Sequence, residues 1–262
     1  MQIIRVRLVN SKNGIGCEKA PIEILKNLKK IKSSEKGKLV EFEKLNLEEI
    51  HVDLKDINEA NYLIFKNSEE VFQKNFKSFF IGGDHSITYS IARAFKKVED
   101  NPLLIVFDAH ADCLEDDENG FNRTWLRELV NDGFNPRKII LICSRNLSAE
   151  EIEFVKENEI TLISMEVLHE GVDEVCDLVM ERARDADGFY ISIDIDCVDP
   201  GFAPGTSDLE PGGLSSREMI HFARRLSLLD NFKGADIVEI NPDKDVNEIT
   251  IKLGAKLLAE ML

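Results

Sequence analysis

Several short runs in this chain are apolar at every position, LLIVF at 103–107 and IILIC at 139–143 among them. A strand that turns one face to water alternates apolar and polar residues. One that is apolar throughout must be covered on both faces, the situation of a parallel sheet between layers of helices. Candidate strands fall at 3–9, 78–81, 103–107, 138–143, 161–163, 188–195 and 234–240. Amphipathic helical patterns lie between them at 21–30, 56–75, 86–98, 124–132, 148–157, 172–186, 215–228 and 246–261. The alternation predicts one α/β sandwich over residues 1–262, without repeat, linker or low-complexity tract. The charged stretch 29–49 reads as a solvated helix–loop–strand region. Ser86, Ser148 and Ser215 stand where helix N-caps belong, and Glu151 three residues after Ser148 predicts a capping box.

Charge narrows the partners. With 33 basic and 49 acidic side chains the formal net charge is −16, which repels nucleic-acid phosphates and anionic membranes and favours small cations or metal ions. No apolar run approaches the roughly 18–20 residues needed to span a bilayer. The opening MQIIRVRLVN lacks the apolar core and cleavage site of a signal peptide. The five cysteines (Cys17, Cys113, Cys143, Cys176, Cys197) are scattered, with no CxxC pair, as reduced thiols in a cytosol would be. The expectation is a cytoplasmic protein with neither nucleic-acid nor membrane partners.

Ligands of open parallel sheets bind beyond the carboxyl ends of the strands. Three predicted strands run into acidic or histidine-bearing clusters at that position. FFIGGDHS delivers His85 after a glycine turn; LLIVFDAHADC delivers Asp108, His110 and Asp112; FYISIDIDCVDP delivers Asp194 and Asp196, then Asp199. In extended chain, residues two apart share a face, so the spacing predicts Asp108, His110 and Asp112 side by side, and Asp194 beside Asp196. Carboxylates so crowded repel one another unless a cation sits between them. Four carboxylates and two imidazoles suit two divalent ions, and oxygen and nitrogen donors without thiolate favour Mn²⁺. Cys113 and Cys197 fall at the odd offset and are expected on the opposite face. Each motif alone also reads as a turn, a cap or a calcium-like loop; the three together, at three strand ends, do not.

The series GGDHS, DAHAD, SIDIDCVDPGFAPGT, EPGGLS and DIVEINP resembles the arginase/agmatinase (ureohydrolase) family, and the likeness runs from GIGCEKAP to VEINPDKD. The resemblance implies a three-layer α/β/α sandwich with an eight-stranded, mostly parallel sheet, assembled as a trimeric or hexameric homo-oligomer. It implies two Mn²⁺ ions per chain and hydrolysis of a small cationic guanidino or amidine substrate to urea and an amine. Matched position by position, His85, Asp108, His110, Asp112, Asp194 and Asp196 are the metal ligands. Asp112 also orients the attacking hydroxide, and Glu239 holds the substrate guanidinium; these two are the catalytic pair.

The chain departs from the family pattern in its substrate segment. No histidine lies between His110 and His169, where arginases and agmatinases usually carry a proton-shuttling His-Gly; Asn122 or Glu118 falls there instead. Ser207-Asp208 replaces the usual Gly-Thr. Substrate contacts are therefore expected from Glu239, Asn122 and Asp208. GIGCEKAP is closer to arginase, so arginine (to ornithine and urea) leads, with agmatine (to putrescine and urea) and a formiminoglutamase-type amidine as alternatives. A single-zinc deacetylase on the same general fold and a non-catalytic homologue that keeps the metal site are the readings from other classes. Arg123 and Trp125 either line the pocket mouth or, for Trp125, anchor the following helix. Arg145 reads as a substrate-loop or ion-pair residue, and His51, His169 and His221 as surface.

Overall fold

The computed structural model describes residues 1–74, 77–115 and 120–262. Its strands are β1 (Gln2–Val6), β2 (Asn46–Ile50), β3 (Ser78–Ile81), β4 (Pro102–Phe107), β5 (Ile139–Ser144), β6 (Thr161–Ser164), β7 (Gly188–Asp194) and β8 (Phe232–Val238). The helices are α1 (Ala20–Leu28), α2 (Ile57–Gln73), α3 (Ile87–Val98), α4 (Trp125–Asn131), α5 (Ala149–Glu157), α6 (Met165–Glu170), α7 (Val172–Arg184), α8 (Ser216–Ser227) and α9 (Ile249–Met261). The strands form one eight-stranded sheet in the order β2-β1-β3-β8-β7-β4-β5-β6, and every pairing is parallel.

Both faces of the sheet are covered, as the fully apolar runs require. Leu103, Ile105 and Phe107 of β4 join a core with α1, α7, α8 and α9, while Leu104 and Val106 point the other way into a core with α2, α3, α4 and α5. Two elements were not legible. β2, with the sequence NLEEI, is an edge strand exposed along most of its length, so nothing obliges it to be apolar. α6 is too short to show a helical period and is started by the Ser164 hydroxyl, which accepts the Val167 N–H.

Ser148 and Ser215 cap their helices, each in a capping box with Glu151 or Glu218. Ser86 does not: its own backbone is already helical, and its hydroxyl goes to Asp84. The strand expected at 3–9 stops at Val6, and the helix expected from 246 begins at Ile249, where the Asp245 carboxylate gathers the N–H groups of Val246, Thr250 and Ile251. All five cysteines are buried and unpaired. No helix among the described residues is long and apolar enough to cross a membrane.

Register positions the site. Across the four central strands, Ile81 pairs with Ile237, Ile237 with Ile193, and Ile193 with Phe107. The residues that follow in β3, β8, β7 and β4 therefore leave the sheet at one level. Between β3 and His85 the chain must pass under the segment that follows β1: Gly83 N–H donates to Val6 O (3.0 Å) and Gly83 O accepts from Glu239 N–H (2.9 Å). A Cβ on Gly83 would lie 1.9 Å from the Leu8 carbonyl oxygen, an approach only glycine permits. Gly83→Ala is expected to destabilise the fold by about 2–4 kcal/mol, lowering Tm by at least about 4 °C; an unchanged Tm in thermal denaturation would refute this account of the turn.

Candidate metal centre

All six expected ligands converge beyond the carboxyl ends of β3, β4 and β7, and all are buried. Strand alternation is not what brings them together. β4 ends at Phe107, so Asp108, His110 and Asp112 stand on a loop, and Asp112 is turned inward by a left-handed backbone (φ 51°). Asp194 is the last residue of β7, while Asp196 sits in a single 3₁₀ turn. Cys113 and Cys197 do lie elsewhere, against the Glu151 carbonyl and the Met219 sulfur.

Three aspartates share one device: one oxygen is tethered to backbone and the other is aimed inward. Asp108 Oδ1 accepts the His110 N–H (2.7 Å), Asp194 Oδ1 the Asp196 N–H (2.9 Å) and Asp196 Oδ1 the Ala109 N–H (3.0 Å). Their free oxygens face the imidazoles. His85 Nδ1 lies 3.0 Å from Asp108 Oδ2, 2.9 Å from Asp112 Oδ2 and 3.2 Å from Asp194 Oδ2, yet makes an aligned hydrogen bond with none of them. A nitrogen aimed between several oxygens has the geometry of a ligand, not of a donor. His110 Nδ1 stands 3.0 Å from Asp196 Oδ2 and 3.5 Å from Asp108 Oδ1. Two ligand sets result, His85/Asp108/Asp194 and Asp108/His110/Asp196, each with its ligand atoms within 4.8 Å of one another and Asp108 common to both.

The electrostatics call for positive charge here. Burial opposes an imidazolium at His85, but the carboxylates of Asp108, Asp112 and Asp194 hold it well above its usual range. Burial likewise opposes charge on His110, which Asp196 and Asp108 push up to about 12. Burial, then the neighbouring Asp108 charge, raises Asp112 to about 6; burial, then Asp196 and Asp108, raises Asp194 well above the carboxylate range. Oxygen and nitrogen donors, inward-aimed oxygens and this unmet demand for a cation fit a pair of divalent ions.

Supporting residues fix the ligands. His85 Nε2 meets the Ser192 hydroxyl (3.0 Å), which donates to Asp236 Oδ1 (2.7 Å), and Thr88 donates to Asp236 Oδ2 (3.1 Å). Since the Ser192 proton goes to Asp236, Ser192 must accept from Nε2–H, which turns Nδ1 toward the cluster. The sequence signal for this relay was a serine and an aspartate inside otherwise apolar strands, and it was missed. Trp125 is fully buried, and its indole N–H donates to Asp112 Oδ2 (3.0 Å); it positions a ligand as well as starting α4.

Glu239 follows β8, also in a left-handed backbone (φ 61°). Its Oε1 accepts the His85 N–H (2.9 Å) and the Asn122 amide (3.3 Å), while among the described residues Oε2 meets only the Cys17 thiol at 3.8 Å. Burial, then the Asp84 charge, pushes Glu239 up to about 8. Backbone strain of this kind, at two residues of one pocket, marks a functional constraint. The pocket is lined by His110, Asp112, Asn122, Arg123, Asp194, Asp196, Thr206, Asp208 and Glu239. Asn122 and Asp208 are thus at the pocket as expected, and Glu118 lies outside the described residues. Arg145 serves the backbone, donating to the carbonyls of Cys143, Asp196, Glu210 and Pro211. His51, His169 and His221 are far from the cluster in the fold, on β2's exit, α6 and α8.

Fold and site define a class: open parallel α/β proteins that carry a carboxylate–imidazole metal centre at the ends of the central strands. The chain belongs to the arginase family, whose model matches residues 3–262. Arginase 1, mitochondrial, of Arabidopsis thaliana is 34% identical over 186 residues, 69% of this chain and 53% of that protein. The chain thus spans about half the length of the plant arginases it matches. Arginase of Staphylococcus aureus is 30% identical over 238 residues, covering 82% of this chain and 78% of its own. Among solved structures, formimidoylglutamase of Bacillus subtilis superposes with a TM-score of 0.92 at 26% identity, over 99% of this chain and 85% of that one.

If the relay sets the aim of His85, Ser192→Ala should keep the fold and weaken Mn²⁺ binding at the His85 set by about 10–100-fold. Calorimetric titration of metal into the stripped protein reads this directly, and wild-type affinity in the variant would refute the relay.

Proposed function

We propose that this chain is a metal-dependent hydrolase of a guanidino compound, arginine first, releasing urea. The observation that carries the reading is Glu239. Its Oε2 is a buried carboxylate oxygen with no strong partner among the described residues, in the same pocket as the ligand cluster. A guanidinium meets a carboxylate through parallel, charge-assisted hydrogen bonds, and arrival of that cation relieves the burial cost that now pushes Glu239 upward.

His85, Asp108, His110, Asp112, Asp194 and Asp196 would hold two Mn²⁺ ions. When bound, such a pair supplies a water made nucleophilic at neutral pH and stabilises charge as it develops. The chain's own residues supply the rest. Asn122 and the His85 backbone N–H fix one oxygen of Glu239, so the other is presented in a constant direction to the substrate. The reaction forms a C–O bond to water, breaks the C–N bond to the departing amine, and requires that nitrogen to leave protonated. A carboxamide cannot carry that proton, so Asn122 does not replace the absent histidine. Asp112, whose Oδ2 is held by Trp125 and whose Oδ1 faces the pocket side of Arg123, is placed to hold it.

A second reading, hydrolysis of an N-formimino amino acid to formamide, is favoured by one specific pair of observations: the segment after DAHAD lacks the histidine, and the chain superposes closely on formimidoylglutamase. Product analysis separates the two. Mn²⁺-loaded protein offered arginine, agmatine and N-formimino-L-glutamate in parallel is expected to release urea from arginine. Glu239→Gln should lower kcat/KM by about 100-fold or more, as loss of one partner of a buried charge pair does; formamide from N-formimino-L-glutamate without urea from arginine would replace the leading reading by the second.

A further inference from the structure

Arg123 is the one lysine or arginine among the described residues that lines the pocket, where Asp112, Asp194, Asp196, Asp208 and Glu239 supply five carboxylates. Its guanidinium is poorly matched. Nε is buried without a hydrogen-bond partner, 4.0 Å from Asp112 Oδ1, and Nη1 makes one long contact, 3.4 Å, to Asp208 Oδ2. A guanidinium has five donors in a planar fork, and the one contact to Asp208 leaves most of that capacity unmatched. With two divalent ions on the ligand aspartates and a substrate guanidinium on Glu239, those carboxylates are matched by cations. Arg123, held only loosely by Asp208, is the group left to meet the remainder of the substrate.

We propose that Arg123 receives a carboxylate on the substrate and thereby selects carboxylate-bearing amidines over amines of the same length. This rests on the reading that Glu239 holds the amidine end. Position supports it independently of charge. Asn122 and Arg123 are consecutive in a single 3₁₀ turn, Phe121–Arg123; Asn122 grips Glu239 while Arg123 lines the same pocket next to Asp208. One turn thus carries both the grip on Glu239 and the guanidinium that would meet the carboxylate. A fork binds a carboxylate through two parallel hydrogen bonds, whereas the ammonium of agmatine would be brought against a like charge. Asp208, a third exposed in its side chain, lies beside Arg123 and suits the α-ammonium of an amino acid.

The test compares Arg123→Gln and Arg123→Lys with wild type. For whichever carboxylate-bearing amidine the wild type turns over, arginine or N-formimino-L-glutamate, the ratio of its kcat/KM to that of agmatine should fall by about 30-fold or more in Arg123→Gln. Arg123→Lys, which keeps the charge without the fork, should recover part of the loss. An unchanged ratio, or a wild type that prefers agmatine, overturns the proposal. A binding readout separates this from failure of the hydrolase reading. In Mn²⁺-loaded protein, δ-guanidinovalerate should raise Tm more than agmatine does, and Arg123→Gln should abolish that difference, even if no compound is hydrolysed. Equal Tm shifts for the two compounds in wild type overturn it as well.

Discussion

Burying aspartates side by side is the constraint on which this molecule turns. Asp108, Asp112, Asp194 and Asp196 are each at most 4% exposed and lie around two equally buried imidazoles. A lone carboxylate in such surroundings would sooner take a proton than stay charged. The structure answers with geometry. Backbone N–H groups at the ends of β4 and β7 hold one oxygen of three of the aspartates, which satisfies that oxygen and leaves its partner nowhere to point but inward. The level register of β3, β8, β7 and β4 brings those inward oxygens to one place. The arrangement fits a cation, and the same positions read as a candidate metal centre from their charge in the sequence.

Among the described residues, two of the six non-glycine residues with left-handed backbones line the pocket beside the acidic cluster. Asp112 and Glu239 adopt left-handed backbones that side chains rarely take, and each is pinned by groups from a different part of the chain. Trp125 holds Asp112, while the His85 N–H and Asn122 hold Glu239. Residues 122–125 therefore touch both sides of the pocket within one turn and the start of α4. A substitution in this short segment would alter ligand aim, substrate grip and substrate tail together, whereas one on the sheet would alter only the ligands.

How much was legible in the sequence follows the same division. Seven of the eight strands, and the cluster of five buried acids and imidazoles that could hold metal (His85, Asp108, His110, Asp194 and Asp196), were legible because fully apolar runs and crowded acids have few physical explanations. β2 did not, since an edge strand can be as polar as NLEEI. The reason first given for the ligands' convergence was strand alternation, and it was wrong in mechanism: they sit on loops and a 3₁₀ turn, gathered by hydrogen bonds between sequence-distant groups such as Ala109 and Asp196. Ser192 and Asp236 stayed hidden because a lone polar residue inside an apolar strand is ordinarily just core, and Trp125, legible as a helix anchor, gave no sign of its bond to Asp112. Arg145, read as a substrate-loop or ion-pair residue, instead gives its donors to four backbone carbonyls.

This explains why the chemistry of the chain is easier to read than its substrate. The candidate ligands stand just beyond strands held in level register, and the scaffold under them is shared: formimidoylglutamase superposes on it with a TM-score of 0.92 and an arginase of Bacillus subtilis with 0.85. The segments after β4 and after β7, where Arg123 and Asp208 meet, carry the proposed substrate contacts. Those segments are not bound by register and need only present the right charges at the right distance from Glu239. An arginine is an expensive residue to leave under-bonded beside a cationic substrate's pocket. The fold gives no reason for its presence there, next to an aspartate and one residue from the amide that grips Glu239; the proposed carboxylate-bearing substrate gives one.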